Sequence, residues 1–293
     1  MQLATRGIAS VAVALALSLL PPPMAQPAEL TARDVIARIQ DSVGVAWSPE
    51  TVDTFKAGDP STTVKGIAVA MMATEAVLRE AAASGHNLII THEPTFYGHL
   101  DKPGDLEKVG DPVLASKRAF IEERHLVVWR FHDHWHARRP DGILTGVVRA
   151  LGWESFQDAS NPLRFVLPEA TLQSLAEQLK QKLHAKVLRV VGDPSMKLTR
   201  VALLPGAPGS APEIQALEAG DVQVLVVGET REWETVEYVA DAVTQGRHKA
   251  LVLLGHIPSE EAGMKECAAW LKTLVREVPV DFVETPEPFW TVP

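Results

Sequence analysis

The sequence predicts an α/β fold made of two similar halves, with mixed, largely parallel sheets and a metal site in the cleft between them. Three observations lead there. Short runs of β-forming residues alternate with helical patterns of roughly 10–15 residues, the pattern of α/β units. The plan of the first half recurs in the second: "RVALL…EIQALEAGDVQVLVVGE" answers "KGIAVA…AVLREAAASGHNLIITHE", and "ALVLLGHIPSE" answers "LVVWRFHDHWH". Three predicted strands end directly in a histidine joined by a second histidine or a carboxylate.

The elements follow in order. Leu30 to Asp41 carries Val35, Ile36 and Ile39 at helical spacing. "VKGIAVAMM" reads as a strand, "ATEAVLREAAASG" as a helix and "HNLIITHE" as the next strand. "DPVLASKRAFIEERH" is helical and "LVVWRFHDHWH" is the next strand; a short helix ends over Thr145 to Leu151. A less regular stretch holds a strand at Arg164–Leu167, a helix at Glu169–Leu183 and a strand at Val187–Val191. Then "LTRVALLPG", "SAPEIQALEAG" and "VQVLVVGET" give strand, helix and strand. "ETVEYVADAVTQG" is a helix, and "HKALVLLGHIPSE" is a strand running into a helix. The predicted organisation is a leader over residues 1–25, a first half over 30–152, a connecting segment over 153–197 and a second half over 198–293.

The leader reading rests on Arg6, the apolar run Ile8–Leu20 and three prolines that stop it. The run falls short of the ~20 residues a transmembrane helix needs, and the layout is that of a secretory signal peptide. Cleavage after Ala25 would leave Pro23 at the −3 position, where a small residue is preferred. The expected location is periplasmic or secreted, with no membrane attachment after leader removal.

Composition narrows the function. The 293 residues are 46% hydrophobic and carry a net charge of −9, with no basic stripe, so nucleic acid is not an expected partner. The single cysteine, Cys267, rules out an internal disulfide framework and a Cys-rich zinc site. It reads as a small core residue.

Ligands of open α/β sheets sit beyond the carboxyl ends of the strands. Those ends here carry His92-Glu93, then His132, Asp133, His134 and His136, and then His256 with Glu260. A lone buried histidine is usually a hydrogen-bonded core residue, and "HIPSE" alone would be an ordinary helix start with Pro258 in its first turn. Three such strand ends together favour metal. His132/His136 and His256/Glu260 are both i, i+4 pairs, able to share one face if each strand passes into a helical turn. His92, Glu93, His136, His256 and Glu260 are too many for one closed tetrahedral site. They suit two divalent ions per chain sharing a bridging carboxylate, with zinc, manganese or iron all compatible with nitrogen and oxygen donors. Glu229, in "GETREWE", occupies in the second half the position of "THEP" in the first and is a candidate to orient a water or ligand. His99, in a loop bounded by glycine and proline, is a candidate to reach substrate. "GAPGS" and the Gly-Asp-Pro turn near residue 193 do not match a phosphate-binding loop.

These segments resemble the Nif-three-like family, dinuclear metal-centre proteins that include the GTP cyclohydrolase 1 type 2 homologs. "VKGIAVAMMATEAVLREAAASGHNLIITHEP" resembles the family segment whose strand ends in Ile-Thr-His-His-Pro. "FHDHWHARRPDGILTGVVRALGW" is similar to its His-Thr-Asn-Leu-Asp segment, and "LLGHIPSEEAGMKECAAWLK" to its Gly-His-x-x-x-Glu segment. The resemblance runs from about Leu30 to the end. It implies metal ligation by His92, His256 and a bridging Glu260. Two positions depart: the family's second histidine is Glu93 here, and the family's aspartate falls on His136. The departures offset one another in charge, which predicts Glu93 on an ion with His256 and His136 on an ion with His92. Asp133 is the fallback if His136 faces away. The resemblance further implies a homohexameric ring and a small-molecule substrate opened or cleaved by hydrolysis. The family's GTP chemistry sits poorly with export. A non-catalytic metal-binding or interaction role, or metal capture, is the alternative.

Overall fold

The computed structural model describes residues 29–219 and 221–292; the leader over residues 1–25 lies outside them. Thr31 opens the first helix, α1 (Ala32–Ser42), through a capping box in which its hydroxyl accepts from the Asp34 N–H and Asp34 accepts from the Thr31 N–H. Next come β1 (Phe55–Ala57), β2 (Ile67–Ala70), α2 (Glu75–Ala83), β3 (Leu88–Thr91), α3 (Gly104–Lys108), α4 (Pro112–Glu123) and β4 (Val127–Arg130). A one-turn helix α5 (Asp133–Ala137) and α6 (Gly142–Leu151) lead to β5 (Gln157–Asp158), β6 (Asn161–Thr171), α7 (Leu172–Lys182) and β7 (Arg189–Val191). The remainder is β8 (Lys197–Leu204), α8 (Ser210–Glu218), β9 (Val224–Val227), a π-helical turn (Glu232–Val236), α9 (Glu237–Thr244), β10 (Ala250–Leu253), α10 (His256–Leu274) and β11 (Val280–Phe282).

The strands form two mixed sheets, ordered β1-β4-β3-β2-β11 and β5-β6-β8-β9-β10-β7. Within the first, β4, β3, β2 and β11 are parallel and β1 is antiparallel to β4. Within the second, β8, β9 and β10 are parallel, and β5, β6 and β7 pair antiparallel. The strands of the connecting segment thus belong to the second sheet, and the C-terminal β11 crosses back to the first.

The central strands are buried on both faces, which is why they read as unbroken apolar runs rather than alternating ones. Ile67, Val69, Leu88, Ile90, Val127 and Trp129 face a shared core that also takes Val201, Leu203, Val224, Val226 and Val252 from the second sheet. Helices α1, α6 and α10 contribute to that same core. The alternate residues, such as Ala68, Ile89 and Val128, face α2 and α4, while Ala202, Leu225 and Leu251 face the α8/α9 side.

Helices α6 and α10 approach through glycine. A Cβ on Gly146 would lie 2.3 Å from the Ala262 carbonyl oxygen, and one on Gly263 would lie 2.4 Å from Ile143 Cα. This contact brings the start of α10 against the segment after β4. Two expectations change here. The segment "LVVWRFHDHWH" leaves the strand after Arg130 and turns into α5, because Asp53 caps it: its Oδ1 accepts from the His132 and Asp133 N–H groups and its Oδ2 from the His134 N–H. Also, β1, β5 and β11, which the sequence did not mark, lack a periodic run of their own and are held by pairing with β4, β6 and β2. Among the described residues no helix is long and apolar enough to cross a membrane.

Candidate metal centre

The carboxyl ends of β3, β4, β9 and β10 converge on one cluster. His92 follows β3 and is fully buried. Its Nδ1 lies 3.1 Å from the Phe131 carbonyl oxygen, which can only accept, so Nδ1 carries the proton and Nε2 is a bare lone pair. His136, at the end of α5, has its Nδ1 2.9 Å from Asp141 Oδ2, which fixes the same tautomer. The two Nε2 atoms face each other at 3.1 Å. In the metal-free protein a proton on His136 Nε2 can be donated to the His92 Nε2 lone pair across that distance, and a metal ion would take the proton's place. The spacing is that of two ligands on one small ion, roughly 3.0–3.4 Å for nitrogens about 2.1 Å from a metal.

A second pair lies alongside. His256 Nδ1 is 3.0 Å from Glu229 Oε1, so the ring turns Nε2 toward Glu93 Oε1 at 3.3 Å and Glu260 Oε2 at 3.1 Å. Helix α10 makes the i, i+4 pair, since His256 and Glu260 sit one turn apart at its start. Glu260 reaches both pairs: its Oε2 is 3.7 Å from His92 Nε2, and its Oε1 is 3.9 Å from His136 Nε2. It is 3% exposed, and its Oε2 is buried without a hydrogen-bond partner. Gly206, at φ +70°, backs this carboxylate: a Cβ there would lie 2.3 Å from Glu260 Oε1. The "PGAPGS" loop therefore cradles an acid instead of a phosphate.

Charge follows from this geometry. Burial, with His132 and His136 nearby, holds His92 well below the ordinary imidazole range and keeps it neutral. Burial also disfavours the charged forms of His136 and His256, but carboxylates outweigh it. Asp141 and Glu260 raise His136, while Glu229, Glu260 and Glu93 push His256 up to about 12. Burial would raise Glu93, yet His256, His132 and Arg130 hold it below its usual range. In the metal-free protein, protons on the imidazoles supply the positive charge that this donor set demands. The Glu260 oxygen set between two imidazoles, the facing Nε2 atoms and a donor set free of sulfur all fit a divalent ion.

Of the expected residues, His92, Glu93, His136, His256 and Glu260 come together as described. Glu229 contacts His256 and positions it. His99 is exposed on the loop wall of the cleft, its ring edge-on to His132 at 5.9 Å, and its carbonyl accepts from Arg130. Asp133 does not serve as the fallback: its Oδ1 is on His132 Nδ1, and its Oδ2 accepts from the Thr51 hydroxyl and the Val52 N–H. His134 is structural, between Asp53 Oδ2 at 2.7 Å and the Ser48 N–H at 2.9 Å, and stacked on Trp47.

Arg130 and Asp141 had no assigned role from the sequence, and His132 only that of an i, i+4 partner of His136. His132 stacks on His92 at 4.5 Å between ring centres, with its Nε2 3.7 Å from Glu93 Oε1, and joins His92 and His136 in a cluster able to hold an ion. Arg130, fully buried, spans the His92 carbonyl at 2.8 Å and Glu93 Oε2 at 3.3 Å, which leaves Glu93 Oε1 turned to His256. Asp141 caps α6 with one oxygen and orients His136 with the other. The sequence signals for these were the i, i+4 spacing of His132 and His136 and an arginine inside an apolar strand, with only Phe131 between it and "HDHWH".

The family model Duf34/NIF3 (NGG1p interacting factor 3) matches residues 33–288. The chain is 24% identical over 242 residues to the GTP cyclohydrolase 1 type 2 homolog of Chlamydia trachomatis, covering 80% of this chain and 90% of that protein. It is 26% identical over 214 residues to the Clostridium acetobutylicum protein of the same name, covering 69% and 75%. Among solved structures, a Bacillus cereus protein related to NIF3 superposes with a TM-score of 0.70 at 17% identity, covering 91% of this chain and all of that one. Reduced HcgD from Methanocaldococcus jannaschii superposes at 0.59 and 16% identity, covering 88% and 99%. These similarities show the fold.

Proposed function

Because the chain belongs to the Duf34/NIF3 family, we propose that it is a metal-dependent hydrolase of a small molecule, with two divalent ions per chain. The observation that carries this is Glu260, whose buried Oε2 lies 3.1 Å from His256 Nε2 and 3.7 Å from His92 Nε2, within reach of both imidazoles. One ion would be held by His92 and His136, the other by Glu93 and His256, with Glu260 common to both. His132 is close enough to join the first. Zinc, manganese and iron all suit these donors.

When bound, such ions supply Lewis acidity and a nucleophile at neutral pH. The residues around them have separable tasks. Glu229 holds His256 in the tautomer that leaves Nε2 free, and Asp141 does so for His136. Arg130 neutralises one oxygen of Glu93 and fixes its rotamer. His99 and Tyr97 line a cleft of about 570 Å³ that opens beside Glu93, Glu229 and His256. That volume suits a small organic molecule. His99 is the residue with a free ring at this wall to hold or move a proton to a bound substrate.

The names of the relatives support a hydrolytic opening of a nucleotide-like ring as one reaction to assay. Export, supported by the leader composition, favours a substrate other than GTP. A homohexamer is proposed on family resemblance; light scattering that gives a monomer at micromolar concentration would remove it. The test of function is turnover of nucleotide, phosphomonoester and phosphodiester panels by metal-loaded protein, compared with the Glu260→Ala variant. Turnover that needs metal and vanishes in the variant is expected. Stoichiometric metal with no turnover on any class would replace the hydrolase by a non-catalytic metal-binding protein.

A further inference from the structure

The cleft that opens on the metal centre has a second wall, made by the start of α2, the loop after β3 and the side of α4. The charged groups lining this cleft can be accounted for one by one. The Glu75 carboxylate is engaged by Arg79, Glu93 by Arg130 and His256, and Glu229 by His256. Lys117 is left over. It is 3% exposed, yet among the described residues no carboxylate lies within ion-pair distance of its ammonium. Its one hydrogen-bond acceptor is the Thr95 carbonyl oxygen, and its Nζ lies 5.0 Å from the centre of the Tyr97 ring. An ammonium has three donors, so this buried cation is under-used.

Two further features share that wall. Thr95 is fully buried and lines the cleft, and its Oγ1 has no hydrogen-bond partner among the described residues. The N-terminus of α2, a nine-residue helix, meets the cleft through Met72 to Glu75. Thr74 caps the Val77 N–H, and the Leu78 N–H bonds to the Thr74 carbonyl, so the Glu75 and Ala76 N–H groups remain as the unsatisfied positive end of the helix.

On the reading of the metal centre given above, we propose that this wall is an anion subsite. Lys117 and the N-terminus of α2 receive a phosphate or carboxylate of the substrate that does not react, while the reacting group reaches the metal ligands. The substrate class is therefore a small organic anion with two separated polar ends. A buried ammonium and helix N–H groups are the donors that bind such oxyanions. Burial lowers Lys117 to about 8 against the pull of the Asp101 and Glu75 carboxylates, and a bound anion would raise it again by adding a counter-charge at the ammonium itself.

The test is calorimetric titration of the full chain, stripped of metal, with inorganic phosphate and separately with malonate. Stripping removes competing coordination of the probe. Lys117→Met should weaken phosphate binding roughly tenfold or more, while Lys117→Arg keeps it within a few-fold. Glu75→Gln, which removes a nearby negative charge without touching the metal ligands, should tighten it. Malonate binding in place of phosphate, with the same dependence on Lys117, assigns the subsite to a carboxylate. Wild-type binding of neither probe overturns the proposal. So does phosphate affinity unchanged in a folded Lys117→Met protein. If that variant does not fold, an unchanged affinity in Glu75→Gln overturns it. Because binding is read without turnover, a protein that shows this subsite but hydrolyses nothing would lose the hydrolase reading and keep the subsite.

Discussion

His92 Nε2 and His136 Nε2 face each other at 3.1 Å, while the Nδ1 atoms of the two rings are committed to the Phe131 carbonyl and the Asp141 carboxylate. Neither ring can swing away without breaking its hydrogen bond, buried for His92 and half-buried for His136, so the pair is held ready for a cation. The holding groups then become the test. Asp141→Asn keeps the α6 cap acceptor but weakens the bond that raises the basicity of His136. Metal affinity at this pair is expected to fall about 10- to 100-fold, measured by competition with a chelator, with helix content unchanged. Unchanged affinity would exclude His136 as a ligand.

Glu260 contacts both pairs, so Glu260→Gln should remove both ions, whereas Glu93→Ala and His136→Ala should each remove about one. Elemental analysis per chain measures this. A metal in excess stabilises a fold by about 2.7 kcal/mol at a hundredfold over Kd, and that rise in melting temperature should vanish in Glu260→Gln. The metal-free variant should be less stable than the metal-free parent, because the change removes the carboxylate 3.1 Å from the half-buried His256 imidazolium and leaves that charge with one counter-ion fewer.

Metal binding should release protons. His256 is pushed up to about 12 in the metal-free protein, against burial, by Glu229, Glu260 and Glu93. As a ligand it must be neutral. At pH 7 the imidazolium therefore gives up about one proton when metal binds, and affinity rises with pH up to that value. In the metal-free fold the sign is the reverse: a raised pKa gives stability that is full below the unfolded value of 6.5 and is lost as pH climbs toward 12. Calorimetry in buffers of different ionisation enthalpy reads the proton count. No proton release at pH 7 would mean that His256 does not coordinate.

Asp53 is 3% exposed and accepts from three consecutive N–H groups, those of His132, Asp133 and His134, and contacts His134 Nδ1 at 2.7 Å. Asp53→Ala strands these donors in a buried site. A loss of about 3 kcal/mol or more is expected by denaturant titration, together with weaker metal binding, since His132 and His136 ride on the turn it caps. A variant with normal stability and normal metal content would show that α5 holds its own geometry.

Much of this was legible in the chain itself. The unbroken apolar runs of β2, β3, β9 and β10 follow from strands buried on two faces. The i, i+4 spacing of His256 and Glu260 needed only a helix start after β10. Other features depended on partners far away in sequence. Arg130 meets Glu93 across 37 residues, and His134 meets Asp53 across 81. The short strands β1 and β11 carry no periodic signal, because pairing with β4 and β2 stabilises them.

The sequence by itself determined which residue types stand at the strand ends, because strand and helix periodicities are local properties of neighbouring residues. It therefore determined the α/β class and the pool of imidazoles and carboxylates. The tertiary structure decided which members of that pool turn inward. His136 faces the site and Asp133 faces Thr51 because Asp53 sets the phase of one helical turn, and Glu260 is buried because Gly206 and the close contact of α6 with α10 leave it no way out. A shift of one residue in that turn would rotate the side chains by about 100°. No local pattern specifies that phase, because the groups that fix it are distant in the chain and adjacent only after folding.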